Sequence, residues 1–181
     1  GIKFLDAGGS GTTANAILAV EYATTLSQYI RLTNNSWGGG GFSQALLDAI
    51  YAAGDAGQLF VAAAGNASRD IDAVPSYPAG YDATNIVSVA SIAEDGQLSS
   101  FSNYGATSVD LAAPGSDILS TWTSSSNSYN TISGTSMACP HVAGAAALVW
   151  SLQPSFGWQE VKDFILDGVA PNPNLTDLVL T

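Results

Sequence analysis

Ser136 is the residue whose position best suits it to chemistry. It lies in the eleven-residue string GTSMACPHVAG at 134–144, in the first turn of a predicted helix. A serine there has an accessible hydroxyl beside backbone N–H groups that lack helical partners and beside the positive end of the helix dipole. An acyl-transfer nucleophile needs that access and those donors for a developing oxyanion. A helix cap is the alternative role for an isolated serine.

Asn66 is a second candidate. It follows the apolar run 59–64 and is the last residue of the string AAAGN at 62–66. At the carboxyl edge of a parallel sheet its amide N–H groups could donate to an anionic intermediate. Two other roles remain open from the residues alone. Asn66 could be an ordinary turn residue, or a glycosylation acceptor, since Asn66-Ala67-Ser68 fits the sequon.

The string at 134–144 closely resembles the nucleophile motif of the subtilisin-like serine protease family. The resemblance covers nearly the whole chain and includes KFLD at 3–6, SFSNYG at 100–105, APG at 113–115 and ILST at 118–121. It implies that the chain is the C-terminal two-thirds of a catalytic domain. It also implies that Ser136 is the nucleophile, that Asn66 binds the oxyanion together with the Ser136 N–H, and that Thr135 assists.

The resemblance further implies a substrate cleft with two walls. Segment 35–39 (NSWGG) would pair with extended substrate as an added strand, and segment 63–66 would form the opposite wall of the pocket for the residue before the cut. Small neutral groups there favour large uncharged side chains. A glycine-rich loop without function is the alternative for 35–39. The implied substrate-binding residues are Ser36, Trp37, Gly38, Ala63, Gly65 and Ser76, the last near the pocket floor.

The charge of the chain limits its partners. Fifteen acidic residues against four basic ones give a net charge of −11. Such a chain is expected to bind neither nucleic acid nor an anionic membrane, because phosphate binding needs clustered Lys and Arg. A chain with this excess of acidic groups suits a hard cation instead.

By the resemblance, Asp110 matches a position that ligates calcium in several relatives, with carbonyl oxygens near Pro78 and Tyr81, so we expect a structural calcium ion. A solvated or capping aspartate is the alternative.

The general base of the family has no counterpart in the sequence. The triad runs Asp, His, Ser along the chain, and neither the Asp motif nor the His motif is found in 1–181. His141 is the only histidine. It follows Ser136 by five residues, and on a helix this spacing directs its side chain ~140° away from that of Ser136. We therefore expect an N-terminal fragment of the same protease to supply both groups. Alone, this chain is expected neither to hydrolyse peptides nor to unfold cooperatively.

Two other functions compete with a secreted endopeptidase acting on proteins or peptides. The first is a catalytically inactive relative that serves as a binding or structural module. The second is an esterase or lipase, which is less favoured because its nucleophile elbow carries Gly two residues on each side of Ser, whereas here only Gly134 is present. Cys139 is the only cysteine, and it is expected to be a small buried apolar residue rather than a nucleophile.

The elements that must position these residues alternate between strands and helices. Residues 1–181 are expected to form one α/β domain with three layers, a mostly parallel twisted sheet flanked by helices. Strands are predicted at 2–5, 31–36, 59–64, 85–92, 109–112 and 117–122, the last paired in a hairpin with 127–133. Helices are predicted at 13–27, between a Ser43 cap and Gly57, at 135–152 and at 158–166.

Overall fold

A four-stranded parallel sheet lies between two layers of helices in the computed structural model, which describes residues 1–123 and 125–181. In chain order the elements are α1 (Thr13–Thr25), β1 (Leu32–Asn35), α2 (Gln44–Asp55), β2 (Leu59–Ala63), β3 (Ile86–Ile92), β4 (Leu111–Pro114), β5 (Ile118–Thr121), β6 (Tyr129–Ile132), α3 (Thr135–Leu152) and α4 (Trp158–Asp167). The sheet order is β1-β2-β3-β4, and β5 pairs with β6 in a separate antiparallel hairpin. The predicted α/β architecture is confirmed.

Alternation along the central strand explains the three layers. All five residues of β2 are buried, as expected for a parallel strand covered on both faces. Because successive side chains point to opposite faces, Phe60 and Ala62 pack in the cluster that contains α1 and α2. Leu59 and Val61 pack in the second cluster, against α3 and α4. Helices therefore cover both faces of the sheet, which leaves the ends of its strands for a functional site.

The element boundaries follow the sequence signals closely, with one exception. Ser43 caps α2 as predicted, since its hydroxyl accepts the Leu46 N–H at 3.3 Å.

The predicted strand at 2–5 is wrong, because that segment is irregular. A strand needs a neighbour to share its hydrogen bonds, and none of the described strands pairs with 2–5. The apolar side chains lie on the surface of the domain instead, where Phe4 packs edge-on against Trp37.

Among residues 1–123 and 125–181, no helix combines the length and the apolar character that crossing a membrane requires.

An aspartate joins two loops away from the sheet. Asp72 accepts the Ser108 N–H at 2.8 Å and the Thr107 N–H at 3.0 Å on its two carboxylate oxygens. Partial burial alone would raise the pKa of Asp72, but the hydrogen bonds from Ser108 and Thr107 outweigh it and hold this pKa below the usual value. The ionised carboxylate is therefore the form that stabilises the fold.

Asp72→Asn is expected to lower the melting temperature at pH 7. A carboxyl group with a depressed pKa contributes stability above its unfolded pKa of about 4, and this contribution is lost as pH falls through the folded pKa. The difference from wild type should therefore shrink below about pH 4. Thermal melts at several pH values would measure it, with Glu21→Gln as the control that removes an exposed carboxylate. A difference that stays constant with pH would contradict the assignment.

Candidate active site

One cleft at the carboxyl edge of the sheet contains all nine residues that were predicted for catalysis and substrate binding. The end of β1, the end of β2 and the start of α3 meet there, as parallel strand ends do in open α/β sheets. The cleft has a volume of 390 Å³ and is lined by Ser36, Trp37, Gly38, Ala63, Gly65, Asn66, Ser76, Thr135 and Ser136. Its position identifies this edge as the place for chemistry.

Pro140 explains how Ser136 is tied to the end of β1. Proline has no N–H, so the helical partner of the carbonyl four residues earlier is missing, and that carbonyl belongs to Ser136. The Ser36 hydroxyl fills the vacancy by donating to the Ser136 carbonyl at 2.8 Å. In return, the Ser136 hydroxyl donates to the Ser36 carbonyl at 3.1 Å. The two serines are therefore locked together, and the half-buried Ser136 hydroxyl stands beside segment 35–39.

Thr135 orients the amide of Asn66. The Thr135 N–H and the Thr135 hydroxyl both donate to Asn66 Oδ1, at 2.8 and 2.9 Å. Two donors at one atom identify it as the oxygen, so Nδ2 must be on the other side of the amide, with its two N–H groups. The Gly65 N–H donates in turn to the Thr135 hydroxyl at 3.1 Å. Thr135 is fully buried, and its N–H and hydroxyl are both engaged in holding Asn66.

Two donors remain for an oxyanion. No acceptor for Asn66 Nδ2 or for the Ser136 N–H is found in the described part of the chain. Gly134, the residue before α3, keeps the adjacent space clear, because a Cβ at Gly134 would come within 3.5 Å of Asn66 Nδ2. The arrangement can therefore stabilise negative charge that develops next to the Ser136 hydroxyl.

Asn103 holds the strand-ending loop in place, and the sequence analysis did not single it out. It is buried, donates from Nδ2 to the Ala64 carbonyl at 2.8 Å and accepts the Ala67 N–H at 2.9 Å. Gly65 must be a glycine there, because its φ is +105° and a Cβ would lie 2.4 Å from Asn103 Nδ2. The string SFSNYG was noted, but nothing in it indicated this contact.

Arg69 is a second lining residue that the sequence analysis did not predict. It is exposed, and none of the carboxylates in the described part of the chain lies within ion-pair distance of it. The cleft is therefore not lined by small neutral groups alone, because the positively charged Arg69 lies at its rim.

His141 and Cys139 do not take part in the site. The His141 Nδ1 lies 2.8 Å from the Met137 carbonyl of its own helix, and the ring lines a different cavity beside β4. Burial raises the pKa of Cys139 to about 11, and its thiol donates to the Val61 carbonyl at 3.3 Å. Cys139 is thus a neutral, buried thiol, and no base for Ser136 is found among the described residues.

The residues around Asp110 do not fit a calcium ion as they stand. The Lys162 ammonium lies 3.2 Å from Asp110 Oδ1, where a metal would bind. The two carbonyls expected to complete the site accept turn hydrogen bonds instead, Pro78 from the Tyr81 N–H and Tyr81 from the Ala83 N–H. Calcium also requires six to eight oxygen ligands, and the described residues contain no cluster of three or more His, Cys, Asp or Glu side chains.

Comparisons with known proteins agree with this geometry. A family model described as Subtilase family matches residues 1–178. The chain is 40% identical over 164 residues to a "Thermostable alkaline protease" of Halalkalibacterium halodurans, covering 91% of this chain and 43% of that protein. It is 40% identical over 171 residues to an "Extracellular serine proteinase" of a Thermus species, covering 94% of this chain and 40% of that protein.

Two further relatives give the same picture. Subtilisin DY of Bacillus licheniformis is 39% identical over 163 residues, with 90% of this chain and 57% of that protein covered. The solved structure of a cold adapted subtilisin-like serine proteinase superimposes with a TM-score of 0.84 at 36% identity, covering 98% of this chain and 64% of that one. The chain thus spans 40% to 57% of the length of these three sequence relatives.

Thr135→Val tests the clamp on Asn66. Valine has the same shape but lacks the hydroxyl that donates to Asn66 Oδ1, so the amide loses one of two anchors. In the complete protease we expect kcat for a peptide substrate to fall about 10-fold with little change in KM, the cost of about one hydrogen bond in the transition state. Thr135→Ser, which keeps the hydroxyl, should retain most of the activity. A change confined to KM would contradict the positioning role.

Proposed function

The chain belongs to the subtilase family, and from that premise we propose that it carries the nucleophile and the oxyanion site of a serine endopeptidase. The observation that carries the proposal is the joint placement of Ser136 and Asn66, with Asn66 Oδ1 held by Thr135 so that its N–H groups are free to donate. A serine that only capped a helix would not need an oriented amide beside it.

The proposed reaction is acyl transfer through Ser136. Its hydroxyl oxygen attacks the carbonyl carbon of the scissile peptide and loses its proton to a base, which gives a tetrahedral intermediate. The intermediate collapses as the C–N bond breaks and the amine leaves with a proton from the protonated base. Water then hydrolyses the acyl-enzyme by the same steps. The hydrogen bond from Ser136 to the Ser36 carbonyl keeps the hydroxyl at the cleft until substrate and base displace it.

Asn66 Nδ2 and the Ser136 N–H would bind the oxyanion. Both donors belong to groups fixed by other bonds, Asn66 through Thr135 and the Ser136 backbone through Ser36. Preorganised donors need no rearrangement when charge develops, and this is why such sites lower the barrier. The N-terminal end of α3 adds its dipole in the same direction.

A base from outside residues 1–181 is required, because the described residues supply none. We propose that it is a histidine, oriented by an aspartate, on an N-terminal fragment of the same protease. Two observations support this proposal. The sequence relatives and the solved structure are longer than the part that matches this chain. In addition, β1 lies at the edge of the sheet, and no described strand pairs with its outer side, so a further strand can add there.

The substrate is proposed to be a protein or peptide bound in extended form along 36–39. This segment continues β1, and the space beside Gly39 is open, since a Cβ there would meet no atom within 4 Å. The residue before the cut would enter the cleft between 36–38 and 63–66, with Ser76 below. Arg69 at the rim supports acceptance of acidic side chains in addition to the large uncharged ones expected from the neutral walls. Secretion is supported by the relative that is named an extracellular proteinase.

Ser136→Ala is expected to reduce peptide hydrolysis by several orders of magnitude in the complete protease while the melting curve stays the same. A fluorophosphonate probe should label the wild type at Ser136 and should leave the variant unlabelled. The control is Ser133→Ala, which removes a neighbouring serine outside the cleft. A complete wild-type protease that folds but takes no label would favour the inactive binding module instead.

Asn66→Ala should lower kcat by roughly 10²–10³ with little change in KM. This is the effect that removing such a donor has in a member of this family. Steady-state kinetics on a chromogenic peptide would measure it. A loss confined to KM would assign Asn66 to substrate binding, and a glycan found on Asn66 in active protein would exclude the oxyanion role.

A further inference from the structure

Arg69 is the only charged side chain among the described residues that line the active-site cleft. The chain has fifteen acidic residues, and none of them lines this cleft, whereas one of its four basic residues does. The cleft therefore has the opposite charge to the chain as a whole, whose net charge is −11. A single cation in an otherwise neutral cleft attracts an anionic group of a bound molecule.

The Arg69 guanidinium is available for such a group, unlike two of the other three cations. Lys162 Nζ lies 3.2 Å from Asp110 Oδ1, and Arg31 donates to the Pro154 carbonyl at 2.8 Å. Both cations are thus engaged within the fold. Among the described residues, the Arg69 side chain has neither an ion-pair partner nor a hydrogen-bond acceptor, and only its backbone is bonded.

The acidic residues that follow Arg69 in the chain do not neutralise it. Asp70 Oδ1 accepts the Asp72 N–H at 2.9 Å. The two carboxylate oxygens of Asp72 accept the N–H groups of loop 107–108. Both carboxylates are therefore held in their own loops, outside ion-pair distance of Arg69.

The backbone that carries Arg69 is fixed, although the side chain is exposed. Asn103 Oδ1 accepts the Arg69 N–H at 3.3 Å, and the Arg69 carbonyl accepts the Tyr104 N–H at 3.1 Å. The buried Asn103 also donates to the Ala64 carbonyl, which follows β2. One side chain therefore holds both ends of the loop that carries Asn66, and the fold sets where the charge stands relative to the oxyanion donors.

Given the endopeptidase function proposed above, on which this step rests, we infer that Arg69 selects an acidic side chain for the residue before the cut. The guanidinium presents parallel N–H donors that match the two oxygens of a carboxylate. A glutamate side chain has two methylene groups to pack on the wall at 63–66, with its carboxylate at the exposed rim. At the rim the carboxylate keeps part of its hydration, so the pair forms without a large desolvation cost.

Two peptides that differ only in glutamate or glutamine before the cut test this selection in the complete protease. The two side chains have nearly the same shape, so the ratio of their kcat/KM values isolates the effect of the charge. We expect the wild type to favour glutamate by about 3- to 5-fold at low salt, toward the upper end for an exposed ion pair. The preference should shrink as salt is added, because ions screen a pair at the surface.

Arg69→Gln is expected to abolish or reverse the preference, because the remaining charge of the chain repels an acidic peptide. Lys3→Gln is the matched control, since it removes the charge of an exposed lysine outside the cleft and should keep the wild-type ratio. Arg69→Glu reverses the charge, and it should favour a peptide with lysine before the cut over one with methionine.

A glutamate-to-glutamine ratio that is equal in the wild type and in Arg69→Gln overturns the proposal, as does a wild-type ratio at or below one. Fluorophosphonate labelling of Ser136 separates this failure from failure of the endopeptidase function, because the probe carries no acidic side chain. A complete protease that takes the label and cleaves both peptides equally well retains that function and lacks the selection. Should Arg69→Gln not fold, the wild type decides, because a preference that does not fall with salt overturns the proposal.

Discussion

Pro140 in α3 leaves one helix carbonyl without its usual partner, and that carbonyl belongs to Ser136, the proposed nucleophile. The Ser36 hydroxyl supplies the missing donor, and the Ser136 hydroxyl returns a bond to the Ser36 carbonyl. This exchange joins the start of α3 to the end of β1, which lies at the edge of the sheet. An unpaired buried carbonyl costs about 1–3 kcal/mol, so the contact stabilises the fold and positions the hydroxyl at the same time.

The other half of the site depends on the same helix. The residue before Ser136 contributes both its backbone N–H and its hydroxyl to Asn66, and Asn103 holds the loop that carries Asn66. The start of α3 therefore carries Ser136 and also holds the Asn66 amide, so the positions of both groups depend on one helix. Glycine is needed at 65, because a side chain there would collide with Asn103, and at 134 its small size leaves open space beside Asn66 Nδ2.

The two edges of the sheet differ in how they are stabilised. At the carboxyl edge the contacts that hold Ser136 and Asn66 are made by neutral hydroxyls, amides and carbonyls, and Arg69 lies at the rim of the cleft without an ion-pair partner among the described residues. At the amino edge an ion pair between Asp110 and Lys162 joins α4 to the strands. The two ends of the strands are therefore held by different kinds of contact, neutral hydrogen bonds at one and an ion pair at the other.

The sequence by itself determined the architecture, and it indicated the residues that the structure brings together in one cleft. Hydrophobic runs and helix caps are local signals, so the helices, the central strands and the Ser43 cap could be predicted. The strings around Ser136 and Asn66 are also local, and their resemblance to a family indicated the cleft. The irregular course of 2–5 could not be predicted, because an apolar run alone does not show whether a partner strand is present. Only the tertiary structure decided the roles of Thr135, Asn103, Arg69 and Lys162. Their contacts join residues far apart in the chain, and which side chains meet depends on how the helices pack on the sheet.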